Sequence, residues 1–283
     1  MSESRSDDVR TIPDVATGDL PSDISGTNSA TNSGTKSSDA PSTTREPPTS
    51  VEIELELTLD RLDSATNYAD WVGDRLAPYV SGDVLELGAG SGTLTERLRG
   101  RSNSLVAVEP YPVLSAELAA RFVDDRTVEV ITGELDSVDA NREFDAAVLV
   151  NVLEHIEDDT ATLSDLYTRL RPHGTVVLFV PAFQMLYSDF DRRIGHHRRY
   201  RKRQLVDKVR AAGFDIQEAR YFNMVGFPLW LVGMRALRLN PGRSALTTIF
   251  DRYVVPALRR IESVLSPPVG QSLICVGTKP VRM

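Results

Sequence analysis

The chain has 283 residues, 41% hydrophobic and 25% charged, with a net charge of −8, an ordinary soluble globular balance. A single cysteine, Cys275, excludes an intrachain disulfide and a cysteine-based metal site, and no metal is expected. The longest apolar run, Met224 to Met234, spans 11 residues, well short of the roughly 20 a bilayer span needs.

Residues 1–50 are mostly Ser, Thr, Asp, Gly, Pro and Asn without periodicity, which predicts a disordered tail. MSESRSDDVR lacks the basic-then-apolar order of a secretory leader, so a cytoplasmic location is expected. Val51 to Leu59 alternates apolar and polar residues and predicts a strand with one wet face. Ser64 to Val80 carries Tyr68, Trp71, Val72 and Leu76 at helical spacing.

From Asp83 the pattern becomes strand and helix in alternation. Strands are predicted at 83–87, 105–108, 128–131, 146–150 and 175–180, with helices at 93–99, 112–122 and 159–170 between them. Short apolar strands separated by helices imply a three-layer, doubly wound α/β fold with a mostly parallel sheet. Beyond Pro181 come a helix at 203–212 and a strand at 215–221. An apolar, arginine-bearing helical section at 222–269 follows, and a closing strand at 272–277 holds Cys275 as a buried structural thiol.

Gly88, Gly90 and Gly92 lie where the first of these strands passes into a helix, a turn whose main chain a ligand can approach closely. The spacing is G-x-G-x-G rather than the G-x-G-x-x-G of dinucleotide binders, and Glu86 stands two places before the first glycine. A carboxylate there would repel a pyrophosphate and suit an ammonium group. Glu109 ends the second strand, 17 residues after Gly92, where it can accept from both hydroxyls of a ribose. Glu134 follows the third strand and could accept from an adenine amino group.

Together with Phe144-Asp and Asn151-Val-Leu-Glu-His-Ile156, these segments resemble the motifs of class I S-adenosylmethionine-dependent methyltransferases over residues 64–181. The resemblance implies a seven-stranded sheet with an antiparallel last strand; the sequence pattern leads to the expectation of one domain over 51–283 with a lid-like helical insertion at 222–269. It implies S-adenosylmethionine as cofactor, with Asn151 beside its methionine part and Tyr68 able to cover it. A flavin or nicotinamide dehydrogenase is the rival reading, disfavoured by the glycine spacing and by Glu86.

Methyl transfer from a sulfonium chiefly needs alignment, so a general base is optional, and His155, just past the fourth strand, is the candidate for one. Residues 51–191 hold 27 acids and 10 bases, whereas 192–203 hold seven bases and no acid. Within that basic run, His196, Arg198 and Arg199 are candidates for binding an anionic substrate, or else part of a solvated face. The expected acceptor is a small, lipid-linked or glycan molecule methylated at oxygen. An RNA acceptor and a non-catalytic interaction protein are the alternatives, and no DNA partner is expected. The 222–269 section could be a lid, a dimer surface or a peripheral membrane contact.

Overall fold

The computed structural model of the chain describes residues 65–236 and 245–281. The predicted tail at 1–50 and the alternating segment at 51–59 lie outside the described residues. Seven strands form one sheet in the order β3-β2-β1-β4-β5-β7-β6. They are β1 (Gly82–Leu87), β2 (Ser102–Glu109), β3 (Val128–Thr132), β4 (Phe144–Val150), β5 (Leu170–Pro181), β6 (Asp215–Phe222) and β7 (Ser272–Thr278). Strands β1 to β5 run parallel, and β7 is antiparallel to both neighbours, β5 and β6. The doubly wound sheet with a reversed last strand is therefore as the sequence implies.

Strand β1 shows why the sheet must be covered twice. Val84 and Leu85 are both fully buried but point to opposite faces, so each face needs its own helical layer. On one face Leu85, Val106 and Leu178 pack under Leu163 and Leu166 of α4 (Asp159–Arg169) and Leu205 and Val209 of α6 (Lys202–Ala211). On the other, Val84, Ala107 and Val148 pack under α1 (Thr66–Leu76), α2 (Thr95–Leu98) and α3 (Pro112–Arg121). Strand β5 begins at Leu170, five residues earlier than predicted. Leu170 pairs with Phe144, and the register then slips before Thr175 meets Ala146, which hides the start of the strand from a periodicity reading.

The insertion between β6 and β7 is helical, as expected, in two parts. The first is α7 (Gly226–Trp230), continued by a π-helical segment, Leu231–Ala236. The second is α8 (Ala245–Ile249), which passes through a π-helical turn, Phe250–Val254, into α9 (Val255–Val264). Val255 and Leu258 enter the core on the α1 side. Asp251 reaches further: its carboxylate accepts from the backbone N–H of Asn67 and Tyr68 at 3.3 and 2.9 Å. These are orphan donors in the first turn of α1, whose N-cap, Ala65, has no side chain to offer them. Among the described residues, no helix is long and apolar enough to cross a membrane.

Candidate active site

The sheet order places β1 between β2 and β4, so chain connections leave β1 in one direction and return on its other side. In open α/β sheets a crevice opens at the carboxyl ends of the strands flanking such a switch. The register brings those ends level, with Leu87 opposite both Val108 and Leu149, and Glu109 opposite Thr132.

The glycine loop crosses this edge. Gly88, Gly90 and Gly92 have φ of 68, 57 and 87°, a region that L side chains rarely adopt. Two of them also have no room for a side chain. A Cβ on Gly88 would stand 2.3 Å from Val152 Cγ2, and one on Gly92 would stand 2.7 Å from Leu118 and Phe122. The backbone N–H groups of Gly88 and Ala89 donate to Val108 O, which ties the loop to the end of β2.

Glu109 is buried at that strand end. One carboxylate oxygen accepts from Gly90 N at 2.8 Å and the other from Tyr111 N at 3.1 Å. Burial raises its pKa, a shift that the two main-chain donors partly offset. Glu86 lies beneath the loop and accepts from Thr95 Oγ1 at 2.7 Å, and burial pushes its carboxyl up to about 7. Glu134 is exposed just beyond β3. Asn151, just past β4, has φ of 53° and donates its N–H to Phe179 O at 2.8 Å, a left-handed position that Asn tolerates better than most residues. Tyr68 lies farther along the sheet. Its ring packs on Trp71 and Phe222, its phenol lies near Ser272 and Asn223, and burial pushes it up to about 12. That engagement makes Tyr68 a structural residue of the α1–β6–β7 contact.

Glu86 supplies a test of these environments. Its carboxyl holds a proton to about pH 7 in the folded chain but releases it near 4.5 when unfolded. The burial cost is therefore absent below pH 4.5, grows between pH 4.5 and 7, and levels off above 7. At 1.36 kcal/mol per pKa unit the cost approaches ~3 kcal/mol at pH 8. Thermal melts of ligand-free Glu86→Gln should run several degrees above the parent at pH 8 and match it at pH 4.5. Equal gaps at both pH values would rule out the assignment.

A second polar group gathers beyond β4. His155 and Glu154 lie on a 3-10 turn, Leu153–His155, and His196 lies on the loop after α5 (Asp189–Arg193). The two histidine rings meet edge to face, 4.6 Å between centroids. Three hydrogen bonds lace the loop to the turn: His197 N to Glu154 O, Arg198 Nη2 to Glu157 O, and Tyr200 Oη to Leu153 O. Trp230 of α7 covers the loop, donating to Leu186 O and stacking on the Arg199 guanidinium, 4.6 Å from its ring centroid.

Here the structure revises three expectations. Burial, with His196 and His197 nearby, pushes His155 down to about 3, so the ring is neutral and too weakly basic for efficient proton removal. Arg199 is buried against Asp191, its Nε 2.7 Å from Oδ1. Arg198 pairs with Asp159 at 3.0 Å, where Tyr200 Oη and Lys208 Nζ converge as well. Both guanidinium groups are thus answered by the chain's own carboxylates, which removes the reason to assign them an anionic substrate. Burial alone would raise the Asp191 carboxyl, but His196 and Arg199 outweigh it and hold it at about 2. Sequence reasoning passed over Glu154, a fully buried carboxylate that burial pushes up to about 7.

A profile described as a methyltransferase domain matches residues 62–219. An uncharacterised methyltransferase of Mycobacterium tuberculosis is 38% identical over 109 residues, which cover 37% of this chain and 42% of that protein. A probable ribosomal RNA small subunit methyltransferase A of Methanosarcina acetivorans is 46% identical over 65 residues, 23% of this chain and 24% of the relative. The mitochondrial ubiquinone biosynthesis O-methyltransferase of Schizosaccharomyces pombe is 28% identical over 100 residues, 34% of this chain and 36% of the relative. The matches thus span less than half of each of these relatives. Among solved structures, a chain from the complex of the Haloferax volcanii Trm112 methyltransferase activator with a putative methyltransferase aligns at TM-score 0.56 and 16% identity, covering 81% of this chain and 98% of that one. An S-adenosylmethionine-dependent methyltransferase from Clostridium acetobutylicum aligns at TM-score 0.51 and 11% identity, covering 76% and 92%.

Proposed function

Because the chain belongs to the methyltransferase-domain family, the class I proteins whose methyl donor is S-adenosylmethionine, we propose that it methylates a hydroxyl oxygen on a small-molecule, lipid-linked or glycan acceptor. The observation that carries the acceptor reading is the second polar group, Glu154, His155 and His196, set past the end of β4 under an apolar cover.

The residues at the donor side fit their cofactor. Glu109 spends one main-chain contact on each carboxylate oxygen, which leaves lone pairs on both for a ribose diol. The close main-chain path of the glycine loop lets a ligand lie against backbone, and Asn151 marks the β4 side of the crevice. When bound, the sulfonium supplies an already electrophilic methyl group, so the protein's contribution is mainly alignment, worth roughly 7–11 kcal/mol in well-oriented systems. Asn151 and the 153–155 turn follow directly from β4 and present the acceptor side. The loop through His196 walls that side, and α7 excludes water from it.

An apolar acceptor agrees with the exposed apolar side chains of the insertion, Leu229, Val232, Tyr253, Val264 and Leu265. The same side chains would suit peripheral contact with a lipid surface. The RNA alternative is weakened, because two charges of the 192–203 run are spent internally: Arg198 on Asp159 and Arg199 on Asp191.

Incubating the protein with methyl-labelled S-adenosylmethionine and host extract, then separating lipid, glycan, protein and RNA pools, tests the acceptor. Label is expected in the lipid or glycan pool as an alkali-stable ether. Label confined to RNA or protein would refute the acceptor assignment.

A further inference from the structure

Glu154 presents a problem that the donor site does not explain. The carboxylate is fully buried, and among the described residues neither oxygen has a hydrogen-bond partner. Buried polar atoms are nearly always satisfied, and each exception needs a reason. The nearest polar atom of His196, Nε2, stands 3.7 Å from Oε1, too far for a hydrogen bond. His196 is itself oriented: its Nδ1 stands 2.9 Å from Asp191 Oδ1, which turns Nε2 toward Glu154. Two potential ligand atoms thus face one another across 3.7 Å.

We propose that Glu154, His155 and His196 bind one divalent first-row transition-metal ion. Each offers one ligand atom, and the three atoms all lie within 4.8 Å of one another. With bonds of about 2.1 Å, two donors at a tetrahedral angle stand roughly 3.4 Å apart, so modest side-chain rotations close the set. Two imidazoles and one carboxylate form a donor set of intermediate softness, which selects Zn2+, Fe2+, Mn2+ or Co2+ over Mg2+. The surroundings match those of a metal-bound histidine. Asp191 holds the far nitrogen of His196, as outer-sphere carboxylates do, and Asp191 is fixed in turn by Ser188 N and Oγ at 2.8 and 2.9 Å. The three hydrogen bonds between loop and turn hold ligands from distant parts of the chain in place. Three protein ligands leave a position open, as in catalytic rather than structural sites. His155, half-buried, sits at the outer side of the cluster. On the acceptor reading above, which this role presupposes, an acceptor hydroxyl at the open position would release its proton to water more readily.

The test uses the untagged full chain, stripped by chelator dialysis. Calorimetry with CoCl2, ZnCl2 and MgCl2 is run beside visible spectroscopy of the Co2+ form. One equivalent of Co2+ is expected to bind with visible d–d bands, to be displaced by Zn2+, and to be unaffected by excess Mg2+. Glu154→Gln and His196→Gln should each weaken Co2+ binding at least tenfold and alter the spectrum, while His173→Gln, at an exposed position of β5, should not. If a buried substitution fails to fold in a thermal melt, His155→Gln at the half-buried ligand carries the same expectation. Absence of stoichiometric binding, or binding unchanged in these variants, overturns the site. S-adenosylmethionine calorimetry on the same stripped protein separates the two readings, since donor binding without metal binding sinks only this one.

Discussion

Glu109→Ala should bind S-adenosylmethionine 10²- to 10⁴-fold more weakly than the parent while melting within a few degrees of it. The two ribose hydroxyls would each lose a hydrogen bond to a charged acceptor, worth about 1.5–3 kcal/mol apiece. Together that is ~3–6 kcal/mol, and each 1.4 kcal/mol is a factor of ten. Glu109→Gln keeps one acceptor oxygen and should fall between the two. Some of the loss would come from the loop itself, because Glu109 also holds Gly90 N. A Ser91→Ala control, at a neighbouring loop residue, tells general loosening from the loss of the diol contact. Calorimetry that finds parental affinity in Glu109→Ala would end the ribose assignment.

The second large effect concerns stability. Asp191→Ala should cost about 3–5 kcal/mol, because it strands the buried Arg199 guanidinium. One further nitrogen of that side chain, Nη1, is already without a partner. The exposed pair Asp189–Arg192 lies on the same short helix with similar geometry at 2.9 Å, yet Asp189→Ala should cost no more than about 1 kcal/mol. Urea unfolding of both variants measures the contrast. Equal losses would mean that burial does not set the strength of these pairs.

The contrast also shows what was legible in the sequence. The inner strands could be read because each carries a short apolar run, and a run such as Leu105 to Val108 has one stable use in a covered sheet, whereas the edge strand β6 is mostly polar. The glycine turn and its partner could be read because they are local: Gly88, Gly90 and Gly92 lie within one turn, and Glu109 follows by one helix and one strand. The acceptor side was opaque for the opposite reason. Glu154 and His196 meet across 42 positions of chain, and no spacing within either segment announces the other. The run from Arg192 to Arg203 reads as an unanswered patch of positive charge because the acids that neutralise it, Asp159, Asp189 and Asp191, lie outside its window. Tyr68 fitted a helix face in sequence, and only the tertiary contacts with Ser272 and Asn223 reveal where its hydroxyl is spent.

The carboxylate that Asp251 lends to the first turn of α1 constrains how the insertion can be exchanged. Helices α8 and α9 are not an appendage that could be trimmed to alter acceptor choice, since the helix beside the core would lose its cap with them. A chimaera that replaces residues 245–264 must bring an acid to the same place, or supply α1 with a Ser, Thr or Asp at position 65. Helix α7 carries no such duty, so acceptor preference can be re-engineered there without rebuilding the start of the domain.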